Sequence, residues 1–235
     1  MSPINETGVD RERPTRGRLI TLEGGEGAGK STQISLLLRR LREAGVDAIA
    51  TREPGGSDGA EILRKVLLSG VVKPLGPTAE AILFAAARID HIDNTIEPAL
   101  AAGIWVLSDR FSDSTRAYQG GAGGLDQRLL SALERVTLGG LCPDLTLILD
   151  LPAEEGLLRA SRRRAPGETQ DRFEDESLQF HERLRAAFLA IAAQEPNRCA
   201  VIDASASVTD VAEAIWSAVS SRLLGSANLD IVHGA

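Results

Sequence analysis

The chain lacks the features that mark several protein classes. It has only two cysteines in 235 residues, Cys142 and Cys199. They are far apart, in apolar, strand-like surroundings, so a disulfide framework is excluded and both read as buried, reduced thiols of a cytoplasmic protein. No apolar run approaches the ~18–20 residues of a membrane span, and there is no signal-peptide core. There is no basic excess either: 26 Lys and Arg against 33 Asp and Glu give a formal charge of −7. A general nucleic-acid binder needs a net basic face, so that class is excluded along with membrane proteins. No internal repeat is present. His91 and His181 fall on helical stretches without metal-ligand spacing and read as structural or surface residues. Hydrophobic content of 43% and charged content of 25% are ordinary for a soluble protein, and the length suits one large α/β domain.

Against these absences stands one stretch around which the chain is organised. Gly24-Gly25-Glu26-Gly27-Ala28-Gly29-Lys30-Ser31 fits G-x-x-x-x-G-K-[ST], the phosphate-binding P-loop, and continues into Thr32. Glycines let backbone N–H groups close around phosphate oxygens and permit the positive φ angles this requires. Lys30 can reach the β- and γ-phosphates, and the Ser31 hydroxyl can ligate Mg²⁺. A helix starting near Gly29 directs its N-terminal dipole at the anion. The context is the required one. The apolar run Leu19-Ile20-Thr21-Leu22 precedes the loop, and Ile34, Leu37, Leu38 and Leu41 recur behind it at helical spacing.

Strands are expected at about 18–23, 46–50, 104–108, 145–150 and 199–203, alternating with helices. Such an order implies a P-loop NTPase fold, a five-stranded parallel sheet with helices on both faces. A helix from about Asp58 to Ser69 opens with Asp58 and Glu61 spaced as a capping box. A long helical stretch at about 78–101 is expected to bend near Pro98. Leu125, Leu129, Leu130, Leu133 and Val136 mark another helix, and further ones are expected at about 153–163, 174–194 and from Ser207 onward. Residues 1–16 read as a disordered extension, 17–224 as the domain and 225–235 as a flexible tail.

Ligands of such sheets bind beyond the carboxyl ends of the strands. That rim gathers the P-loop, the Arg52 loop, Asp109-Arg110 and the segment after Asp150. A P-loop alone leaves open a GTPase, a motor or transporter ATPase, or a small-molecule kinase. No N-K-x-D run for guanine is present. Arginines populate the rim: Arg52, Arg88, Arg110 and the cluster Arg159, Arg162, Arg163, Arg164 and Arg172. The cluster flanks a loop with Pro166 and Gly167 that suits a mobile lid at about 160–173. Phosphoryl transfer between two anions needs such positive charge, and a lid excludes water. Asp109 ends a buried strand where a carboxylate beside Mg²⁺ belongs, or where a simple strand-end cap would sit. Glu26 suits a second substrate's sugar hydroxyl, or mere turn polarity. Phe84 and Arg88 lie one helical turn apart and can stack a base and bond its edge, although Phe84 also fits a plain core position.

Thr51-Arg52-Glu53-Pro54-Gly55-Gly56, Phe84-Ala85-Ala86-Ala87-Arg88, Asp109-Arg110-Phe111 and Ser114-Thr115-Arg116-Ala117-Tyr118-Gln119-Gly120 resemble the thymidylate kinase family in order and spacing. The resemblance spans about Arg18 to Leu224. It implies transfer of the γ-phosphoryl group of ATP to dTMP by an enzyme that is usually a homodimer. Carried over, Phe84 would stack on thymine, Arg88 would bond its O4 and Thr115 would contact its edge. Tyr118 would lie under the deoxyribose, where a ribose 2′-OH would clash, and Glu26 would approach the 3′-hydroxyl. Arg52 and Arg110 would hold the acceptor phosphate, with Pro54, Ser114 and Gln119 completing that pocket. Gly24 to Thr32 would bind ATP, Ser31 and Asp109 would serve Mg²⁺, and Arg159 would lie nearer the adenine. The P-loop carries no arginine and the lid several, the bacterial-type arrangement, so Arg163 or Arg164 joins Lys30, Asp109 and Arg110 as catalytic. Phe111 stands where His or Tyr is commoner. The competing readings are another nucleoside monophosphate kinase and a P-loop ATPase that is not a kinase. ATP and dTMP are the expected partners, with neither nucleic acid nor membrane.

Overall fold

Alternation along β1 (Leu19–Glu23) sets the layers. Ile20 and Leu22 point to one face, Leu19, Thr21 and Glu23 to the other, and all five are buried. The computed structural model describes residues 16–163 and 173–225. β1 lies at the centre of a five-stranded, all-parallel sheet with β2 (Ala48–Arg52), β3 (Trp105–Asp109), β4 (Leu145–Asp150) and β5 (Cys199–Asp203), in the order β2-β3-β1-β4-β5. On one face Ile20, Leu22, Leu107, Leu145, Leu147 and Leu149 pack against α1 (Lys30–Glu43) and α9 (Val208–Val219). On the other, Ile148 meets Leu184 and Phe188 of α8 (Leu178–Gln194), while Leu19 and Val106 meet Ile92, Ile96 and Leu100. The expected sheet, covered on both faces, is present.

Several boundaries differ from expectation, each for an identifiable reason. β2 begins two residues later than read because the end of α1 consumes Val46. Gly45 takes a φ of 77°, and the Val46 N–H reaches back to the Leu41 carbonyl at 2.9 Å. At its other end β2 extends through Thr51 and Arg52, which pair with Ser108 and Asp109. The capping box does not form at α2 (Asp58–Leu68). Ser57 is the cap residue, and Asp90 of α3 (Gly76–His91) accepts from the Ala60 N–H at 3.0 Å and the Ser57 hydroxyl at 2.6 Å. Glu61 instead accepts the Gly56 N–H at 3.0 Å. The long helical stretch does not break at Pro98 but changes its winding before it: a π-helical turn at Ile92–Ile96 joins α3 to α4 (Glu97–Ala101), and Pro98 sits in the first turn of α4.

α5 (Ser112–Thr115) follows β3 and widens into a second π-helical segment, Arg116–Ala122. α6 (Gln127–Leu138) is capped by Asp126, which accepts from the Arg128 and Leu129 N–H groups at 2.9 and 3.2 Å. Of its apolar series only Leu130 is fully buried, and Val136 is 76% exposed. α7 (Ala153–Arg163) has the expected bounds, and α8 starts at Leu178 rather than near Glu174 because Ser177 caps it. Cys199 is buried, which pushes its thiol up to about 11, but Cys142 is exposed in the loop before β4, contrary to its expected burial. Arg16 pairs with Glu97 at 2.8 Å. The expected extension up to residue 15, the lid residues 164–172, with Arg164, and the tail from 226 lie outside the described residues. Among the described residues no single helix is long and apolar enough to cross a membrane.

Candidate active site

The carboxyl ends of β1, β2 and β3 open on one cavity of about 410 Å³. At one end is the P-loop. Gly27 and Gly29 take φ values of 67° and 88°, and Gly29 is the cap residue from which α1 begins. Lys30 is buried, and its Nζ donates to the carbonyls of Gly24 and Gly25 at 3.1 and 2.9 Å. Desolvation, and after it the neighbouring Arg110, lowers the Lys30 pKa. The Ser31 hydroxyl donates to Asp109 Oδ2 at 2.7 Å, so β3 delivers its terminal carboxylate to the first turn of α1. A hydroxyl and a carboxylate oxygen side by side are hard donors that fit Mg²⁺. Among the described residues no group of three or more His, Cys, Asp or Glu is placed to hold a metal.

In the middle of the cavity stands Arg110. Its backbone has a φ of 72°, held by its N–H on the Leu22 carbonyl at 2.9 Å and by the Ser108 hydroxyl on its own carbonyl at 2.7 Å. The guanidinium donates to Glu26 Oε1 at 2.8 Å and to the Gly24 carbonyl at 3.0 Å, and lies 4.9 Å from the centre of the Tyr118 ring. Tyr118 donates its hydroxyl to the same Glu26 oxygen at 2.6 Å. Burial opposes ionisation of Glu26, but Arg110, Lys30 and the Tyr118 hydroxyl outweigh it and hold the carboxyl down at about 2. Desolvation likewise opposes charge on Arg110, yet Tyr118, Glu26, Asp109 and Glu23 raise its pKa.

The far end is walled by α3, α5 and the start of the loop after β2. Phe84 and Arg88 of α3 line it with Thr115, Tyr118 and Gln119. Arg88 is buried and donates Nε to Glu53 Oε2 at 2.7 Å, Nη1 to Thr115 Oγ1 at 3.1 Å and Nη2 to the Phe111 carbonyl at 3.0 Å. Arg52, which pairs with Glu61 at 3.0 Å, joins Pro54 and Ser114 in the wall. The structure thus brings Glu26 through Ser31, Arg52, Pro54, Phe84, Arg88, Asp109, Arg110, Ser114, Thr115, Tyr118 and Gln119 to one cavity. Gly24 and Gly25 sit behind it as acceptors for Lys30. Thr32 is exposed in α1 and outside the lining. Arg159 is also outside it, pairing with Glu155 at 2.6 Å and donating to the Ala204 carbonyl at 2.9 Å. Arg163 ends α7.

Four lining or supporting residues escaped the sequence reading. Glu53 was legible only as part of a motif, with no partner to give it a role. Phe173 closes the aromatic wall, 5.0 Å from Tyr118 and 6.3 Å from Phe84 between ring centres. Arg64 donates to the Pro54 carbonyl at 2.6 Å beside the Arg52 loop. Glu23, fully buried under Arg110, accepts from the Phe111 N–H at 2.7 Å and the Ser114 hydroxyl at 2.6 Å; burial and the nearby Asp113 carboxylate push its pKa up. The one available sign of Glu23 was a carboxylate inside an otherwise apolar strand. His91, expected as a structural residue, lies fully buried against Glu53.

A phosphate-loop motif at one end of a cavity, and an aromatic wall with a fixed guanidinium at the other, suit two nucleotides facing each other across Arg110. Fold and site together define a P-loop nucleoside monophosphate kinase. A family model described as Thymidylate kinase matches residues 22–215, and the chain belongs to that family. A thymidylate kinase of Afipia carboxidovorans is 59% identical over 213 residues, covering 91% of this chain and 93% of that protein. One of Bradyrhizobium diazoefficiens is 60% identical over 209 residues, 89% of this chain and 91% of that protein. The crystal structure of thymidylate kinase from Ehrlichia chaffeensis superposes with a TM-score of 0.70 at 32% identity, covering 87% of this chain and 98% of that one. The rival reading of a P-loop ATPase without an acceptor is not favoured.

Proposed function

We propose that this enzyme transfers the γ-phosphoryl group of ATP to dTMP, giving dTDP and ADP for dTTP synthesis. The observation that carries the choice of acceptor is Arg88, locked beside Phe84 and Thr115 at the end of the cavity away from the P-loop. Its guanidinium is a donor only, and thymine offers the O4 acceptor where cytosine offers an amine. Phe84 stacks the base, and Tyr118 fills the space a ribose 2′-OH would need. Glu26 meets the 3′-hydroxyl, and Arg52 and Arg110 hold the acceptor phosphate, with Pro54, Ser114 and Gln119 around it. Gly24 to Thr32 cradle the ATP phosphates, and Arg159 serves the adenine side.

An acceptor phosphate oxygen attacks the γ-phosphorus, and the bond to the β–γ bridging oxygen breaks to release ADP. The acceptor is largely a dianion at neutral pH, so no general base is needed and catalysis is alignment with charge neutralisation. Lys30 and Arg110 supply positive charge from two sides, and Arg163 or Arg164 supplies it from the lid. Ser31 and Asp109 would hold Mg²⁺, which would supply further positive charge to the transferring phosphoryl group. We place the reaction in the cytoplasm, in keeping with the free thiols of Cys142 and Cys199. We read the enzyme as a homodimer, supported by exposed Ile82, Ile89 and Val136 on α3 and α6.

The test is ADP release from ATP and Mg²⁺ with dTMP, dUMP, dCMP, dGMP, UMP or no acceptor. Turnover that depends on dTMP, with dUMP a weaker second, is the expected result. Hydrolysis indifferent to every acceptor would remove the kinase reading and leave only the P-loop.

A further inference from the structure

We propose that Glu53 and His91 are positioning residues that fix the Arg88 guanidinium and thereby set which pyrimidine the acceptor slot takes. The inference rests on the reading that Arg88 meets the base edge. Glu53 follows β2 directly, and its N–H donates to the Asp109 carbonyl at 2.9 Å, so its backbone continues the sheet pairing. Its carboxylate is shared. One oxygen accepts from Arg88 Nε at 2.7 Å, and the other meets His91 Nδ1 at 3.0 Å. A carboxylate only accepts, so Nδ1 carries a hydrogen. His91 Nε2 in turn lies 2.7 Å from Thr51 Oγ1 on β2. The side chains of Arg88 and Glu53 are each 5% exposed and that of His91 is 0% exposed, so water does not substitute for any of these partners.

The consequence is directional. A guanidinium has five N–H groups in one plane. Glu53, Thr115 and the Phe111 carbonyl take three of them, one on each nitrogen. Among the described residues one N–H is left on each terminal nitrogen, in a plane the protein has already set. Those donors suit a carbonyl oxygen on the base and reject an amine at the same place. Thr115 and Phe111 hold the two terminal nitrogens. Among the described residues Glu53 alone holds Nε, nearest the pivot of the side chain, and His91 on the next turn of α3 holds Glu53. Removing the Nε anchor lets the plane tilt, which weakens the bond to thymine and softens the penalty against cytosine.

The test uses the full chain, with kcat and KM measured for dTMP, dCMP and ATP in wild type, Glu53→Gln, His91→Asn and Thr51→Val, and thermal unfolding of each. E53Q is expected to raise KM for dTMP about tenfold or more and to lower the dTMP-to-dCMP ratio of kcat/KM by about the same factor. KM for ATP should stay within about twofold, because the P-loop end is untouched. H91N and T51V should shift the ratio in the same direction by less, since Glu53 remains. If E53Q does not fold, the ratio in H91N and T51V carries the test. Variants that lose stability or kcat equally for both acceptors, with the ratio unchanged, overturn the assignment and leave a purely structural network. A wild type without dTMP-dependent turnover overturns the functional reading itself.

Discussion

Arg110 holds a left-handed backbone conformation that costs a non-glycine residue about 1–3 kcal/mol, and that conformation aims its guanidinium at Glu26. The pair, 2.8 Å apart with both side chains mostly buried, should be readable as a pH dependence of stability. The Glu26 carboxyl is lowered from its ordinary value of 4.5 to about 2, against the desolvation that alone would raise it. A carboxyl lowered on folding contributes stability that is complete above its unfolded value and is lost as pH falls through its folded one. The window therefore runs from about 4.5 down to about 2. The contribution near neutral pH is on the order of 3 kcal/mol, and about 2 kcal/mol of it disappears between pH 6 and pH 3. Glu26→Gln lacks this titration. Urea unfolding at both pH values should show the wild-type advantage over E26Q shrinking in acid, and an advantage equal at the two values would refute the account. Glu26 was legible in sequence because it sits inside the phosphate-loop motif. Glu53 and His91 were not, because their roles exist only where α3 packs across the end of β2.

The P-loop is held from behind as well as by its own glycines. Gly156 of α7 faces the Glu26 carbonyl, and Gly27 faces the Gly156 carbonyl, each so closely that a Cβ would overlap the other's backbone. The two glycines let a helix and a phosphate loop touch backbone to backbone. Gly156→Ala therefore separates two effects of opposite sign. Inside a helix the change is worth about 1 kcal/mol in favour of alanine. Here it must push α7 off the loop and disturb the loop's N–H groups. The expected outcome is a KM for ATP raised about tenfold or more with KM for dTMP nearly unchanged, the cost of weakened phosphate hydrogen bonds. A variant more stable than wild type with unaltered ATP kinetics would show the contact to be slack. Elements of this kind were the most legible part of the chain. The strand, loop and helix around Lys30, and the bounds of β4, β5 and α7, followed from apolar runs and turn residues. The misreadings had two kinds of cause: a tertiary one, Asp90 of α3 standing in for a capping box at α2, and a local one, the closure of α1 at Gly45 that delays β2.

At the scale of the molecule, α3 presents two opposite faces. Phe84 and Arg88 turn into the cavity, while Ile82 and Ile89, seven residues apart and so on one stripe, are 50% and 38% exposed. On the neighbouring helices, Ile62 and Val66 of α2 and Val136 of α6 extend the apolar surface, at 65%, 38% and 76% exposure. The chain's own core does not need these side chains, because the sheet is already covered on both faces by other residues. A twofold contact is self-complementary, so one patch on each copy suffices to bury it. The helix–helix packing pattern was visible in sequence as apolar spacing in α3 and α6, but spacing alone could not say which residues face inward and which outward. The double substitution Ile82→Asp and Ile89→Asp should convert a dimer into a monomer by sedimentation velocity at micromolar concentration, with the sheet intact by circular dichroism. Burying two carboxylates where two isoleucines had met costs several kcal/mol per copy, enough to exceed the margin of a micromolar dimer at about −8 kcal/mol. Since the opposite stripe of the same helix carries Phe84 and Arg88, the monomer should also show a raised KM for dTMP with KM for ATP largely kept. A wild-type chain already monomeric at that concentration, or a double variant that remains a dimer, would remove α3 from the interface.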